Sequence, residues 1–218
     1  MRQFQDTGPT GGRRERTKER NRAAIVQAAR EVFAEIGYDA ATVRDIVRRT
    51  SLATGTFYNY FPDKQSVLGA IVEEATARGR PRLHAARQQA RALPEFVELG
   101  FRTYFELLAE DPLLLEIASR NAGALRATGL DETGFGLGVD ELRADLAEAI
   151  DRGYLPPLDV DYMTAAMTAV GVEVAFRMAE RDPVDVDGAT AFTTTLFLGA
   201  IDRMAAEAHA QPPEGDDR

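Results

Sequence analysis

Residues 41–68 read ATVRDIVRRTSLATGTFYNYFPDKQSVL, and this stretch decides the expected fold. Its apolar spacing predicts one short helix over residues 43–50 and a second over residues 54–61, with a break at residues 51–53. Pro62 ends the second helix, because the residue before a proline disfavours helical backbone. Two short helices around a tight break are typical of the helix-turn-helix, whose second helix enters the major groove of DNA.

The sequence on either side extends this motif into a small helical domain. Apolar residues recur every three or four positions over residues 17–36, which predicts a first helix there. A fourth helix is expected over residues 64–78, where Asp63 can cap its start. Gly79 and Pro81 are expected to end it, because both residue types destabilise a helix interior.

The remaining sequence is expected to be helical as well, since no segment shows the sustained alternation of apolar and polar residues that indicates a strand. The further predicted helices cover residues 83–92, 94–109, 112–127, 139–151, 160–180 and 188–208. We therefore predict an all-α fold, a three-helix helix-turn-helix domain followed by a helical bundle. The expected divisions are a disordered tail at 1–12, the DNA-binding domain at 13–64, the bundle at 65–210 and a disordered tail at 211–218.

The charge of the chain is unevenly distributed. The formal net charge is -9, yet residues 1–80 carry 14 basic against 10 acidic residues, and residues 81–218 carry 12 against 25. This asymmetry indicates that the N-terminal part meets an anion such as DNA. Six basic residues are grouped within residues 13–22, and they either contact phosphate or form a solvated face: Arg13, Arg14, Arg16, Lys18, Arg20 and Arg22.

Other classes of function find no positive support. The chain has no cysteine, which excludes disulfides, thiolate zinc sites and cysteine nucleophiles. His84 and His209 lie far apart in sequence, so we expect no metal site and no cofactor. An enzyme is not expected, since there is no Gly-x-Ser-x-Gly motif or metal-ligand cluster. A cytoplasmic protein without membrane contact is expected, because no signal peptide and no apolar run of roughly 20 residues occurs.

The residues of the motif suit contact with DNA. Thr54 and Gly55 open the second helix, where small residues let the helix end approach the duplex. Hydroxyl groups such as that of Tyr58 can bind phosphate, a contact that sets register rather than sequence. Arg44 can donate two N–H groups to a guanine edge, and Asn59 can contact a base or a phosphate.

The same block resembles the DNA-binding region of the TetR family of repressors, whose pattern is roughly T-V-x-x-I-A-x-x-A-G-V-S-x-G-T-[FL]-Y-x-Y-F-x-x-K-x-x-L. The matching residues are Thr42, Val43, Ile46, Gly55, Thr56, Phe57, Tyr58, Tyr60, Phe61, Lys64 and Leu68. The departures are Val47, Thr50, Ser51, Leu52 and Ala53. Ser51 replaces the glycine of the turn, and Ala53 replaces a common serine cap, which affects the fine geometry of the module.

The resemblance implies a role for each matched position. Phosphate contacts are implied for Thr42, Thr56, Tyr58, Tyr60 and Lys64, and base approach for Arg44, Thr54, Gly55 and Asn59. Two alternatives stay open. Tyr58 and Tyr60 can instead serve packing, and Lys64 can instead cap neighbouring backbone or be solvated.

For the second domain the resemblance implies a small apolar effector and a homodimer that binds a palindromic operator. The last two long helices are the dimerisation candidates, although ordinary core is an equal alternative for Met163, Met167, Val170, Val174, Phe192, Leu196 and Gly199. The expected effector site consists of Phe101, Tyr104, Phe105, Leu108 and Ile117 with the polar residues Arg120 and Asn121. For these apolar residues too, plain core is the alternative.

Residues 120–126, 140–167 and 176–201 are further similar to the subgroup that responds to fatty acyl thioesters and controls lipid genes. This implies a long apolar tunnel. An acidic domain is an unusual host for an anionic coenzyme A, which either calls for local basic residues such as Arg120 and Arg126 or argues against an acyl-thioester effector. The leading hypothesis is a ligand-responsive repressor whose two sites are coupled. A regulator controlled by a protein partner is the alternative, and an all-helical enzyme is a remote third.

Overall fold

The computed structural model of the chain describes residues 11–120, 138–153 and 155–210. Within these ranges the regular structure is entirely α-helical, which confirms the all-α prediction. The helices are α1 Gly11–Ile36, α2 Val43–Arg48, α3 Thr54–Phe57, α4 Lys64–Gln89, α5 Leu93–Ala109, α6 Pro112–Arg120, α7 Val139–Asp151, α8 Val160–Ala179 and α9 Val186–Ala210.

The chain divides into two compact units, residues 1–71 and 72–218. The expected boundary after residue 64 falls at the start of α4, and the observed division falls later in the same helix. The first helix begins at Gly11 instead of residue 17. Gly11 and Gly12, expected in the tail, therefore belong to α1, whose first turns are rich in Arg, Glu and Lys, all good helix formers.

The core of the first unit is formed by apolar residues of all its helices. The most deeply buried are Ile25, Ala29, Phe33, Ile46, Phe57, Val67, Leu68 and Ile71. The capping box that opens α2 is present, since Thr42 and Asp45 satisfy each other's backbone N–H groups. The third helix is shorter than predicted and ends at Phe57. The chain still turns in helical sense afterwards, because the N–H groups of Tyr60 and Phe61 both bond the carbonyl of Phe57.

The predicted break of α4 near Gly79 and Pro81 is wrong. The helix continues to Gln89 with Pro81 inside it. Proline removes one backbone hydrogen bond, but both Pro81 and the residue four positions earlier, Ala77, are exposed, so water can satisfy the carbonyl left over. Packing beyond the proline compensates, since Leu83 is buried at 3% exposure and anchors the next turn.

In the second unit α5 packs most extensively against α9, while α7, α8 and α9 pack side by side. The bounds of α7 match the prediction, and those of α5, α8 and α9 differ from it by one or two residues. The sixth helix is described only to Arg120, so the predicted continuation to residue 127 lies outside the described residues.

Candidate DNA-binding surface and effector cavity

The exposed start of α3 is formed by small residues. Ala53 precedes it in extended conformation and offers no side-chain hydrogen bond to the helix. Thr54 and Gly55 are exposed, and a β-carbon added at Gly55 would meet nothing within 4 Å. Packing inside the first unit therefore does not require glycine at this position, and the surface around it is open for close approach.

Three longer side chains border this surface. Arg44 and Asn59 are exposed, and Tyr58 is 56% exposed with one ring edge against Phe57. Packing thus accounts for part of the Tyr58 ring only. Tyr60 is half-buried, and its hydroxyl oxygen accepts a hydrogen bond of 3.1 Å from Nδ2 of Asn21. The Tyr60 hydroxyl thus has a partner within the protein, which favours a structural role for this residue.

Two predicted phosphate-binding residues are engaged within the protein. Thr42 Oγ1 accepts from the backbone N–H of Asp45. The hydroxyl and the backbone N–H of Thr42 donate in return to the Asp45 carboxylate, which lowers the pKa of that carboxyl. Lys64 Nζ donates to the carbonyl oxygens of Tyr38, Asp39 and Ala41 at 2.7, 3.3 and 3.0 Å. An ammonium group has three N–H donors, so all three have backbone partners. This geometry favours the capping alternative for Lys64, and its phosphate contact stays a prediction.

The basic segment at the start of α1 is solvent-exposed along most of its length. Arg14, Arg16, Lys18 and Arg20 are exposed. Arg22 is half-buried, with its guanidinium 5.3 Å from the centroid of the Phe61 ring. Arg22 therefore also packs against the core of the unit, while the four preceding residues leave their charges accessible to an anion.

A cavity lies inside the second unit, among α4, α5, α7 and α8. The centre of a water-sized sphere can move through about 50 Å³ of it. Its walls are Leu83, Arg87, Phe96, Gly100, Phe101, Tyr104, Leu142, Met167, Thr168 and Gly171. Of the predicted effector residues, Phe101 and Tyr104 line this cavity.

The other predicted effector residues lie elsewhere. Phe105, Leu108 and Ile117 are buried core residues at 2% exposure or less, and none of them lines the cavity. Leu108 instead borders a surface cleft that Arg78 and Arg82 share with their ion-pair partners Asp111 and Glu110. For these three residues the core alternative fits the structure. The backbone of Arg120 ends α6, and Asn121 lies outside the described residues.

Arg87 is the one charged residue in the cavity wall, and the sequence analysis missed it. Its side chain is 7% exposed, and Nε lies 2.7 Å from Oδ2 of Asp145, which is itself 3% exposed. The two atoms form an ion pair, but without the alignment of a hydrogen bond. Burial lowers the pKa of the Arg87 guanidinium, and the neighbouring Asp145 charge opposes that effect. Oδ1 of Asp145 lies 2.9 Å from Nδ1 of His84.

A sequence signal for Arg87 exists in hindsight. It follows the buried Leu83 by four positions and therefore shares its helix face. The break predicted at residues 79–81 separated this segment from α4, so the face that it buries could not be extrapolated from the preceding turns.

The dimerisation candidates divide into two sets. Met163 and Met167 are buried within the unit at 5% and 7% exposure, as the core alternative holds. Phe192 and Leu196 on α9 are 60% and 44% exposed. Gly199 continues the same stripe, and a β-carbon there would meet nothing within 4 Å. Phe192, Leu196 and Gly199 thus form an exposed apolar strip of α9.

Residues 11–120, 138–153 and 155–210 contain no group of three histidine, cysteine or acidic residues able to hold a metal ion. None of the helices there is both long and apolar enough to span a bilayer.

Residues 25–71 match the family described as bacterial regulatory proteins, tetR family. The chain is 49% identical over 49 residues to an uncharacterized HTH-type transcriptional regulator, YvdT of Bacillus subtilis (strain 168), covering 22% of this chain and 25% of that one. It is 30% identical over 135 residues to the fatty acid metabolism regulator protein of the same organism, covering 62% of each chain. The matches thus span about a quarter and about three-fifths of these relatives.

Solved structures with a similar fold include regulators of known ligand. The fatty acid degradation regulator FadR from Bacillus halodurans superposes with a TM-score of 0.70 at 23% identity, covering 88% of this chain and 96% of that one. FadR from Bacillus subtilis in complex with stearoyl-CoA gives 0.69 at 24% identity, covering 80% and 96%. RolR in complex with resorcinol gives 0.63 at 23%, covering 89% and 93%. At these identities the likeness shows the fold.

Proposed function

We propose that this chain, whose residues 25–71 match the tetR family of bacterial regulatory proteins, is a homodimeric repressor of a palindromic operator, released by a small apolar effector. The observation that carries the DNA-binding part is the contrast in exposure between Phe57 and its neighbours in and just after α3. Phe57 is buried in the core of the first unit, whereas Thr54, Gly55, Tyr58 and Asn59 remain exposed beside it. A helix that packs against the core on one face and exposes its other face to solvent suits insertion into a DNA groove.

The cavity supports the sensing part of the proposal. It is enclosed mainly by apolar and aromatic side chains with few polar groups, as effector sites in proteins commonly are. Only about 50 Å³ of it is open to the centre of a water-sized sphere. This size favours a compact effector, and a fatty acyl thioester would have to displace side chains of the wall.

Two of the solved structures with a similar fold differ in the size of their ligands, since FadR from Bacillus subtilis binds stearoyl-CoA and RolR binds resorcinol. The relatives named as fatty acid regulators support an acyl thioester, whereas the cavity volume supports a smaller molecule. Both belong to the proposed class of effectors with an apolar body.

The dimer of the proposal would form through the exposed strip of α9. Phe192 and Leu196 lie one helical turn apart on one face, and Gly199 leaves room for a second helix to approach closely. A symmetric pair of such faces would match the two half-sites of a palindrome.

The proposal is tested by salt-titrated binding to the DNA upstream of the protein's own gene, measured by fluorescence anisotropy. The affinity should fall steeply as salt rises, because phosphate contacts release counterions. Arg44→Ala should lose sequence preference. Tyr58→Phe should weaken binding several-fold without changing the salt dependence, because it removes a hydroxyl and no charge.

Arg91→Ala, an exposed arginine of the second unit, is the matched control and should bind as the wild type does. The absence of a specific site there and across genomic fragments would contradict DNA regulation. Specific binding that no small molecule alters would instead favour control by a protein partner.

A further inference from the structure

The cavity wall contains a polar end. Nη2 of Arg87 and Oγ1 of Thr168 are both buried, and neither has a hydrogen-bond partner among the described residues. Both residues line the cavity, Arg87 from α4 and Thr168 from α8. A buried polar atom without a partner costs stability, and more so when it belongs to a charged group. These two atoms form a polar end of the cavity, from which the guanidinium and the hydroxyl can donate hydrogen bonds to an acceptor on a bound molecule.

The ion pair with Asp145 orients Arg87 without using up its donors. Asp145 approaches at Nε, on the side of the guanidinium nearest the helix, and leaves Nη2 to other partners. The stem of Arg87 packs against α5 beside Gly100, where a β-carbon would make ordinary contact at 3.6 Å from Cγ of the arginine. The guanidinium is therefore fixed in position before any ligand arrives.

We propose that the cavity binds a small carboxylic acid as its anion, with the carboxylate on Nη2 of Arg87 and the hydroxyl of Thr168, and the apolar body against Phe96, Leu142 and Met167. This inference rests on the proposed function, because it names the chemical class of the effector. Hydrogen bonds between guanidinium and carboxylate are roughly twice as strong as neutral ones. An acid is therefore preferred to an alcohol of the same shape.

The remaining wall limits the body of the acid. Phe96 and Phe101 are buried at 2% and 5% exposure and contribute apolar rings to the cavity wall. The space open to the centre of a water-sized sphere, about 50 Å³, suits a short aliphatic chain or a single aromatic ring. Hexanoate and benzoate are therefore suitable probes, and 1-hexanol and benzyl alcohol are their neutral counterparts.

The test is isothermal titration calorimetry of the full chain with these four compounds, without DNA. At least one acid should bind, and its alcohol should bind at least tenfold more weakly. Arg87→Met should lose at least tenfold in affinity for the acid. Because that variant leaves Asp145 buried without its partner, Thr168→Val is the second probe. It is close to isosteric and should weaken the acid several-fold, while Arg91→Ala should not.

Several results would overturn the inference. Equal affinity for acid and alcohol is one, and unchanged affinity in either cavity variant is another. Absence of binding by both acids at millimolar concentration is a third. Failure here is distinguishable from failure of the proposed function. If stearoyl-CoA releases the operator while the acids do not bind, the repressor proposal stands and this inference fails. If the acids bind and no operator exists, the reverse holds.

Discussion

Lys64 Nζ lies 4.4 Å from the centroid of the Tyr38 ring and donates a 2.7 Å hydrogen bond to the carbonyl oxygen of the same residue. With its two other carbonyl partners, the ammonium group ties the start of α4 to the turn that follows α1. A residue that resembles a phosphate ligand in sequence thus has a structural task in the protein without DNA.

We predict that Lys64→Met lowers the free energy of unfolding by about 2 kcal/mol, because it removes charged hydrogen bonds to the backbone and keeps the apolar stem. Urea denaturation of the full chain measures this. Lys18→Met, an exposed lysine of α1, is the control and should change stability little. If Lys64→Met leaves stability unchanged and weakens DNA binding, the structural role is contradicted and Lys64 is a phosphate contact.

Gly100 and Gly171 form a natural pair for testing how tightly the cavity wall is packed. Both lie in helix interiors, where Gly→Ala alone gains up to about 1 kcal/mol. A β-carbon at Gly100 would make ordinary contact with Arg87, whereas one at Gly171 would come within 3.3 Å of Cε1 of Phe101. Gly100→Ala should therefore be the more stable variant in thermal denaturation. Equal stabilisation would mean that Phe101 moves aside without cost.

The exposed strip of α9 predicts an effect on assembly. Replacing Phe192 and Leu196 together by Glu should convert the proposed dimer into a monomer at micromolar concentration, because charges would repel across the symmetric interface. Analytical ultracentrifugation reports the mass. Val184→Glu is the matched control, since Val184 is 42% exposed but precedes α9. A wild-type chain that is monomeric under these conditions would refute the dimer itself.

The cap of α4 predicts a pH dependence. Hydrogen bonds from the backbone and hydroxyl of Ser66 lower the pKa of Asp63. A carboxyl whose pKa is lowered by folding adds stability above its ordinary pKa, and that stability is lost as pH falls through the lowered value. Asp63→Ala should cost about 1 kcal/mol at neutral pH and progressively less in acid. Urea denaturation across this range measures it, with Glu73→Ala of the same helix as control. A cost that is constant with pH would contradict the assignment.

Local signals in the sequence were sufficient where local chemistry decides the structure. The capping box of Thr42 and Asp45 and the cap at Asp63 involve residues three positions apart, so their pattern is visible without the fold. The helical class and the relation to the TetR family followed from such patterns in a single short block.

Local patterns were insufficient where contacts between residues far apart in sequence determine the structure. The continuation of α4 past Pro81 depends on packing of Leu83 and on the ion pair of Arg87 with Asp145, which lies 58 positions away on α7. Phe101 and Tyr104, which the sequence proposed for the effector site, line the cavity, yet the apolar spacing of α5 cannot distinguish a cavity wall from solid core. Phe105 and Leu108 have the same spacing and lie outside the cavity.

Because of the proline inside α4, the last turns of that helix depend on tertiary contacts to stay helical. A peptide spanning these residues in isolation would lose helicity near Gly79, since nothing local replaces the missing hydrogen bond. Amide protons after Pro81 should therefore exchange with solvent through local opening, at a rate set by how firmly Leu83 and Arg87 are held. A molecule bound in the cavity that restricts the motion of Leu83 and Arg87 would slow this exchange. Deuterium uptake after Pro81 therefore reports whether the cavity is occupied.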